Sequence, residues 1–368
     1  MKKTLRISSM IILCALLLSS VIALPSILKA GETALPQPQA PENSVSVDGD
    51  ALDVVDVSKV KYGYSEMTED LAALASKYPD KMSYTSIGTS LDGRSIYAVT
   101  LGDPNAEKQI IISAGIHARE YLTPLLVMKQ LEFYLLNYDT ADYGGIPLSE
   151  ILKEYSFRIL PMCNPDGITM AQFGIDALKS EALKTSIRAI YESDKAKGYT
   201  TDQFDKYLTY WKANARGVDL NRNFDTEDWS TVNNVRSPSY INYRGTAPLS
   251  EPESKAMANY VSSLSNPVLS IATHSQGEII YFDCGKDFHK CLDLAKVAHE
   301  SCGYKIIYET RHDAAFEDWC VIKKGIPSIT VETGNYDVKD PIPSDEFSSI
   351  WNACRDLWAD VAVKYMGK

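Results

Sequence analysis

An apolar run, "QIII", leads into "SAGIHAREYLTP", which packs His117, Arg119 and Glu120 into four residues. Polar side chains at the end of a buried strand are costly unless something holds them. A metal ion would do so, because His117 and Glu120, three residues apart, can reach one ion from a tight turn. A second apolar run, "VLSIAT", ends at His274 and supplies a further imidazole. Two imidazoles and a carboxylate leave a fourth position for water, the pattern of catalytic rather than structural zinc. Such an ion acidifies water and polarises a substrate carbonyl, and a nearby carboxylate must then take the proton and return it. Glu332, closing the run "SITV", is the candidate general base. His289, His299 and His312 lack a comparable partner and read as structural or surface residues.

These groups need a scaffold that brings them together. "QIIISAG" ends at His117, "FRILPMC" at "NPDG", "VLSIAT" at His274 and "SITV" at Glu332. Strands that are apolar nearly throughout, separated by stretches of helical spacing, predict an α/β sheet covered on both faces. Ligands in open α/β sheets bind at the carboxyl ends of the strands, so four strands would deliver polar groups to one edge. "YSEMTEDLAALASKYP" predicts a helix with Ser65 as N-cap and Pro79 as stop. "SSIWNACRDLWADVAVKYM" predicts one final helix. There is no fixed-period repeat, and the chain reads as a single domain.

The chain has 368 residues, 45% of them apolar, enough for a large core. Lys2, Lys3 and Arg6 precede an uncharged run from Ile7 to Leu28, and "LKA" ending at Ala30 offers a cleavage site. Residues 1–30 therefore read as a secretory signal, with an uncleaved membrane anchor as the competitor. Residues 31–57, rich in Pro, Gln, Ser and acids, read as a linker or short pro-segment, leaving 58–368 as the folded domain. The expected location is outside the cell or in the cell envelope, with no stable membrane partner unless the leader is retained. The net charge is −11, and removing the leader removes only cations, so nucleic acid is excluded as a partner. Cys163, Cys284, Cys291, Cys302, Cys320 and Cys354 form an even set that permits disulfides, and no CxxC pair suggests a cysteine-bound zinc.

Taken in order, "HARE" (117–120), "NPDG" (164–167), "GVDLNRNF" (217–224), "HSQG" (274–277) and "ITVETG" (329–334) resemble the zinc carboxypeptidase family. That family comprises the metallocarboxypeptidases related to pancreatic carboxypeptidase A and bacterial carboxypeptidase T, and the resemblance runs from about Tyr62 to the C-terminus. It implies a single domain with a mixed, largely parallel twisted sheet, one zinc ion and a peptide substrate. It also implies that His117, Glu120 and His274 are the metal ligands, Glu332 the general base and Asp219 the carboxylate that orients a ligand histidine. Asn221 and Arg222 correspond to the pair that grips a substrate's terminal carboxylate, and Arg119 to an auxiliary substrate-binding residue.

The departures from the pattern carry information too. Lys212, nine residues before Asn221, stands where the resemblance implies an oxyanion-stabilising Arg; Arg216 lies close by, and either cation could serve. Counting back from Glu332 puts Thr310 where a mobile Tyr is implied, with Tyr308 as a substitute two residues away. The same count puts Glu317 at the position that sets side-chain preference, where a carboxylate favours an amine. "HSQG" and "WKANARGVDLNRNF" look more like the γ-D-glutamyl-diaminopimelate peptidases, which cut peptidoglycan stem peptides, than the digestive enzymes. Release of C-terminal L-residues from ordinary peptides is the alternative activity. A non-catalytic zinc-containing binder of wall peptides is the alternative class. Ser275 without a GxSxG elbow argues against a serine hydrolase.

Overall fold

The structure, a computed structural model, describes residues 54–366 apart from 60, 233–234, 283–287, 309–312 and 339. The expected signal (1–30), most of the linker, Thr310, His312 and Cys284 lie outside the described residues. Helix α1 (Tyr64–Lys77) is followed by β1 (Met82–Thr89), β2 (Ser95–Leu101) and β3 (Lys108–Ala114). Helix α2 (Leu122–Leu136), the hairpin β4 (Asp142–Tyr143) and β5 (Ile146–Pro147), and α3 (Leu148–Glu154) lead to β6 (Tyr155–Leu160). Helices α4 (Pro165–Phe173), α5 (Glu181–Ala196), α6 (Phe204–Thr209) and α7 (Pro252–Ser263) precede β7 (Pro267–Ser275) and β8 (Ile279–Phe282). Helix α8 (Phe288–Cys302), β9 (Lys305–Tyr308), α9 (Phe316–Lys324) and β10 (Ser328–Thr333) come next, then α10 (Phe347–Cys354) and α11 (Leu357–Tyr365). No described helix is long and apolar enough to cross a membrane.

Eight strands form one sheet in the order β1-β2-β6-β3-β7-β10-β8-β9. Its centre, β6-β3-β7-β10, is parallel, and antiparallel pairs flank it at β2–β6 and β8–β10. Strand residues alternate between faces. Accordingly Ile110 and Ile112 of β3 join one apolar cluster with α1, α2 and α11, while Ile111 joins another with α7 and α9. Helices thus cover both faces, and the near-continuous apolar strands inferred from the sequence are the central ones. The four runs that end in polar groups are β3, β6, β7 and β10, and they share one direction.

Two local expectations are corrected. Helix α1 is capped by Gly63, not Ser65: the Glu66 carboxylate accepts the Gly63 N–H at 3.1 Å and closes the first turn two residues earlier. The expected single C-terminal helix is two. The Gln130 side chain takes the Cys354 carbonyl at 2.7 Å, and the Tyr134 hydroxyl accepts the Ala359 N–H at 3.1 Å. Those buried partners on α2 replace backbone bonds that a continuous helix would make. Folded contacts also start ahead of residue 58, because the Val54 and Val55 amides donate to Glu132. Cys163, Cys302, Cys320 and Cys354 are buried free thiols, and Cys291 is buried.

A buried carboxylate beside the site loop sets a pH dependence of stability. Asn214 Nδ2 donates to Glu251 at 2.9 Å and to Glu253 at 3.2 Å. Burial pushes the Glu253 carboxyl up to about 7 from the ordinary 4.5, with the Asp166 and Glu251 charges adding to it. The folded state then holds a proton that the unfolded state has lost, so stability falls as pH rises from about 4.5 to about 7. Its scale is roughly 3 kcal/mol at the upper end. Glu253→Gln, which keeps the acceptor for Asn214, should flatten that decline. Thermal unfolding of both proteins between pH 5 and 8 checks this; parallel curves would remove Glu253 as the source.

Candidate active site

Parallel pairing sets the first two groups. His274 and Glu332 are register partners on β7 and β10, so their side chains leave the sheet on the same face. Ala114 pairs with Thr273, and β3 then turns through Gly115 and Ile116 into His117. Gly115 has a left-handed φ of 63°, and a Cβ there would lie 2.8 Å from Ile168 and Pro124. The turn is pinned by Thr123 Oγ1, which accepts from Gly115 and donates to the Glu120 carbonyl. Asn164, which caps α4, reaches across to the carbonyls of Ile116 and Ala213. "NPDG" therefore fastens the His117 loop to the Lys212 loop; Asp166 in the same motif ties in Ser90, Asp92 and Arg94.

His117, Glu120 and His274 converge while buried. The two Nδ1 atoms are 3.1 Å apart, His117 Nδ1 is 2.7 Å from one Glu120 oxygen, and His274 Nδ1 is 3.0 Å from the other. Two imidazole nitrogens turned toward each other across a carboxylate are the arrangement a single cation would hold. The N, N, O donor set suits zinc. Behind this cluster, His117 Nε2 lies 3.5 Å from Asp219 Oδ1, and His274 Nε2 lies 3.1 Å from Glu317 Oε1.

The cluster opens on a cavity of about 230 Å³ lined by His117, Lys212, Asn221, Arg222, His274, Glu317 and Glu332, with Asp313 and Asp318 on its wall. Glu332 Oε2 is buried without a hydrogen-bond partner among the described residues. Burial pushes the Glu332 carboxyl up to about 8, Glu120 adding to the effect and His274 and Lys212 opposing it. Lys212 Nζ stands 3.6 Å from Asp219 Oδ2. Arg222 pairs with Asp313 at 3.0 Å and donates to the Asn221 carbonyl. Asn221 accepts the Phe316 N–H and donates to Glu317 Oε2.

Arg216, Arg119 and Tyr308 fall outside that lining. Arg216 is half exposed and lies 3.4 Å from Glu251, so of the two cations left open only Lys212 faces the cavity. Arg119 pairs with Asp340 at 3.1 Å. Tyr308 ends the edge strand β9, its ring against Phe282. Glu317, expected as an amine-selecting group, lines the cavity but is buried, with its oxygens engaged by His274 and Asn221. Sequence reasoning missed Asp313 and Asp340. Only the Asp-Pro turn at 340–341 carried a signal, and a turn is its ordinary meaning.

Residues 67–346 match the zinc carboxypeptidase family. The chain belongs to it. This zinc metallopeptidase is 31% identical to the gamma-D-glutamyl-L-diamino acid endopeptidase 1 of Lysinibacillus sphaericus, over 79% of this chain and 69% of that protein. It is 29% identical to human mast cell carboxypeptidase A over 64% of this chain, and spans about half that protein's length. The fold matches the solved structure of thrombin activatable fibrinolysis inhibitor, with a TM-score of 0.64, at 20% identity, covering 83% of this chain and 74% of that one.

Proposed function

We propose that this metallopeptidase cleaves peptidoglycan stem peptides at the bond between γ-D-Glu and a diamino acid, acting outside the cell or in its envelope. The mixed charge of the cavity carries the reading. Lys212 and Arg222 offer cations, while Asp313 and Asp318 present carboxylates on the same wall. A diamino acid with a free amino-acid end brings a carboxylate and an amine together, and that zwitterion matches a wall of both signs. The named activity of the Lysinibacillus relative supports the same substrate class.

Bound zinc supplies a Lewis acid that polarises the scissile carbonyl and acidifies the attacking water. Glu332 removes a proton from that water and hands it to the leaving amine nitrogen, so one carboxylate serves as base and then as acid. Lys212 stabilises the negative charge that develops on the carbonyl oxygen. Arg222, oriented by Asp313, and Asn221 bind the substrate carboxylate, where an Arg fork suits a planar anion. Asp219 holds His117, and Arg119, steadied by Asp340, borders the approach.

The deciding experiment digests two substrate sets with the purified enzyme and reads products by mass spectrometry. One is a stem peptide with γ-D-Glu linked to diaminopimelate; the other is a panel of L-peptides with varied C-termini. Cleavage at the γ-D-Glu bond, lost with chelator, is expected. Stepwise release of C-terminal L-residues with the stem peptide intact would overturn the reading in favour of an ordinary carboxypeptidase, the activity that the match to mast cell carboxypeptidase A suggests.

A further inference from the structure

Each ligand histidine has a carboxylate behind it, but the two carboxylates are unequal. Asp219 stands 3.5 Å from His117 Nε2, whereas Glu317 stands 3.1 Å from His274 Nε2. With His274 Nδ1 turned toward His117 and Glu120, its proton sits on Nε2 and points at Glu317. The other Glu317 oxygen accepts from Asn221 Nδ2 at 3.2 Å. Asn221 cannot flip, because its Oδ1 already accepts the Phe316 N–H at 2.9 Å. Glu317 lies in the first turn of α9, where the helix N-terminus favours a negative side chain.

We propose that Glu317 is a positioning residue of the metal centre: it fixes the tautomer and ring angle of His274 and locks that ligand to the substrate-binding Asn221. A carboxylate that accepts the outer N–H of a ligating imidazole orients the ring and raises its basicity toward the metal. Because Glu317 accepts from two fixed donors, only a group with two acceptor oxygens satisfies both. In Glu317→Gln the amide oxygen can face one partner, and its NH2 must then confront the other: the Asn221 amide or the His274 ring N–H. The inference concerns the metal centre and holds whichever peptide bond the enzyme cleaves.

The test reads the metal directly. Zinc affinity, by competition with a chromophoric chelator, should weaken about 10–100-fold in Glu317→Gln. The visible bands of the Co2+-substituted protein should shift, since His274 presents a weaker donor at a different angle. Unfolding of the metal-free proteins controls for damage to the fold. Glu317→Asp, which keeps two acceptor oxygens, should lose less than Glu317→Gln and serves as the second variant if the first does not fold. With zinc saturating, Glu317→Gln should also raise KM for a substrate with a free carboxylate more than it lowers kcat, because Asn221 is released. Zinc affinity within about 2-fold of the parent, with an unchanged cobalt spectrum, would overturn the proposal. Glu317 would then be a wall of the substrate cavity alone, even if its replacement alters which substrate is cut.

Discussion

Glu332→Gln should lower kcat by about 10³-fold while the protein keeps its zinc. The two halves of that result separate base from ligand. The metal cluster is complete without Glu332, which sits across the β7–β10 register from His274, with one carboxylate oxygen buried and unpartnered among the described residues. Gln matches its size but cannot take a proton from the attacking water. His117→Ala should instead lose zinc and activity together, because it removes one of three ligands. Metal analysis beside single-turnover kinetics distinguishes the two outcomes, and a Glu332→Gln enzyme within about tenfold of the parent would end the assignment of this base. The pH profile follows from the same group. Burial pushes the Glu332 carboxyl up to about 8, and a bound dication draws it back down by stabilising the ionised form. The base works ionised, so kcat/KM should rise with pH through that pKa. In Glu332→Gln the acid limb should vanish from the residual activity.

The parts of this site that were legible in sequence are those tied to regular strands. Apolar runs close with His117, His274 and Glu332 because the central strands are buried on both faces and can admit polar groups only where they end. Parallel neighbours then end together, and order along the chain becomes proximity in space. Loops obey no such rule. Lys212 and Arg216 are four residues apart and chemically alike, yet one faces the cavity and the other pairs with Glu251. The turn at Gly217, with a φ of 74°, redirects the chain just after Arg216. Asp313 and Asp340 act through long-range pairing with Arg222 and Arg119, and residue type alone gives no hint of such partners. Glu317 shows the same limit: counting placed it near the site, but only geometry gave it His274 and Asn221. The break between α10 and α11 came from Gln130 and Tyr134, distant residues whose buried polar groups needed partners.

Lys212→Met should cost about 10²–10³-fold in kcat with little change in KM, and Arg216→Met should alter neither by more than about 2-fold. The Lys212 backbone is held at both polar groups: its N–H donates to the Tyr240 carbonyl, and its own carbonyl accepts the Ala118 N–H. The side chain therefore enters the cavity from a fixed point beside the metal-binding turn, and its ammonium can be aimed at charge that develops only in the transition state. Such preorganised charge raises kcat rather than ground-state affinity. Met keeps the length of the stem and removes the charge, so packing is conserved. Lys212→Arg is the informative partner. A guanidinium carries the same charge in a wider planar fork, and Asp219, 3.6 Å away, would compete for it. Arg should recover part of the lost rate, short of the parent. If Lys212→Met instead raised KM with kcat intact, the ammonium would be binding the substrate carboxylate in the ground state, and Arg222 would not be sufficient as the anchor. If Arg216→Met carried the loss in kcat, the half-exposed Arg216 would have to swing away from Glu251 on substrate binding, and the cation facing the cavity in this structure would be a bystander.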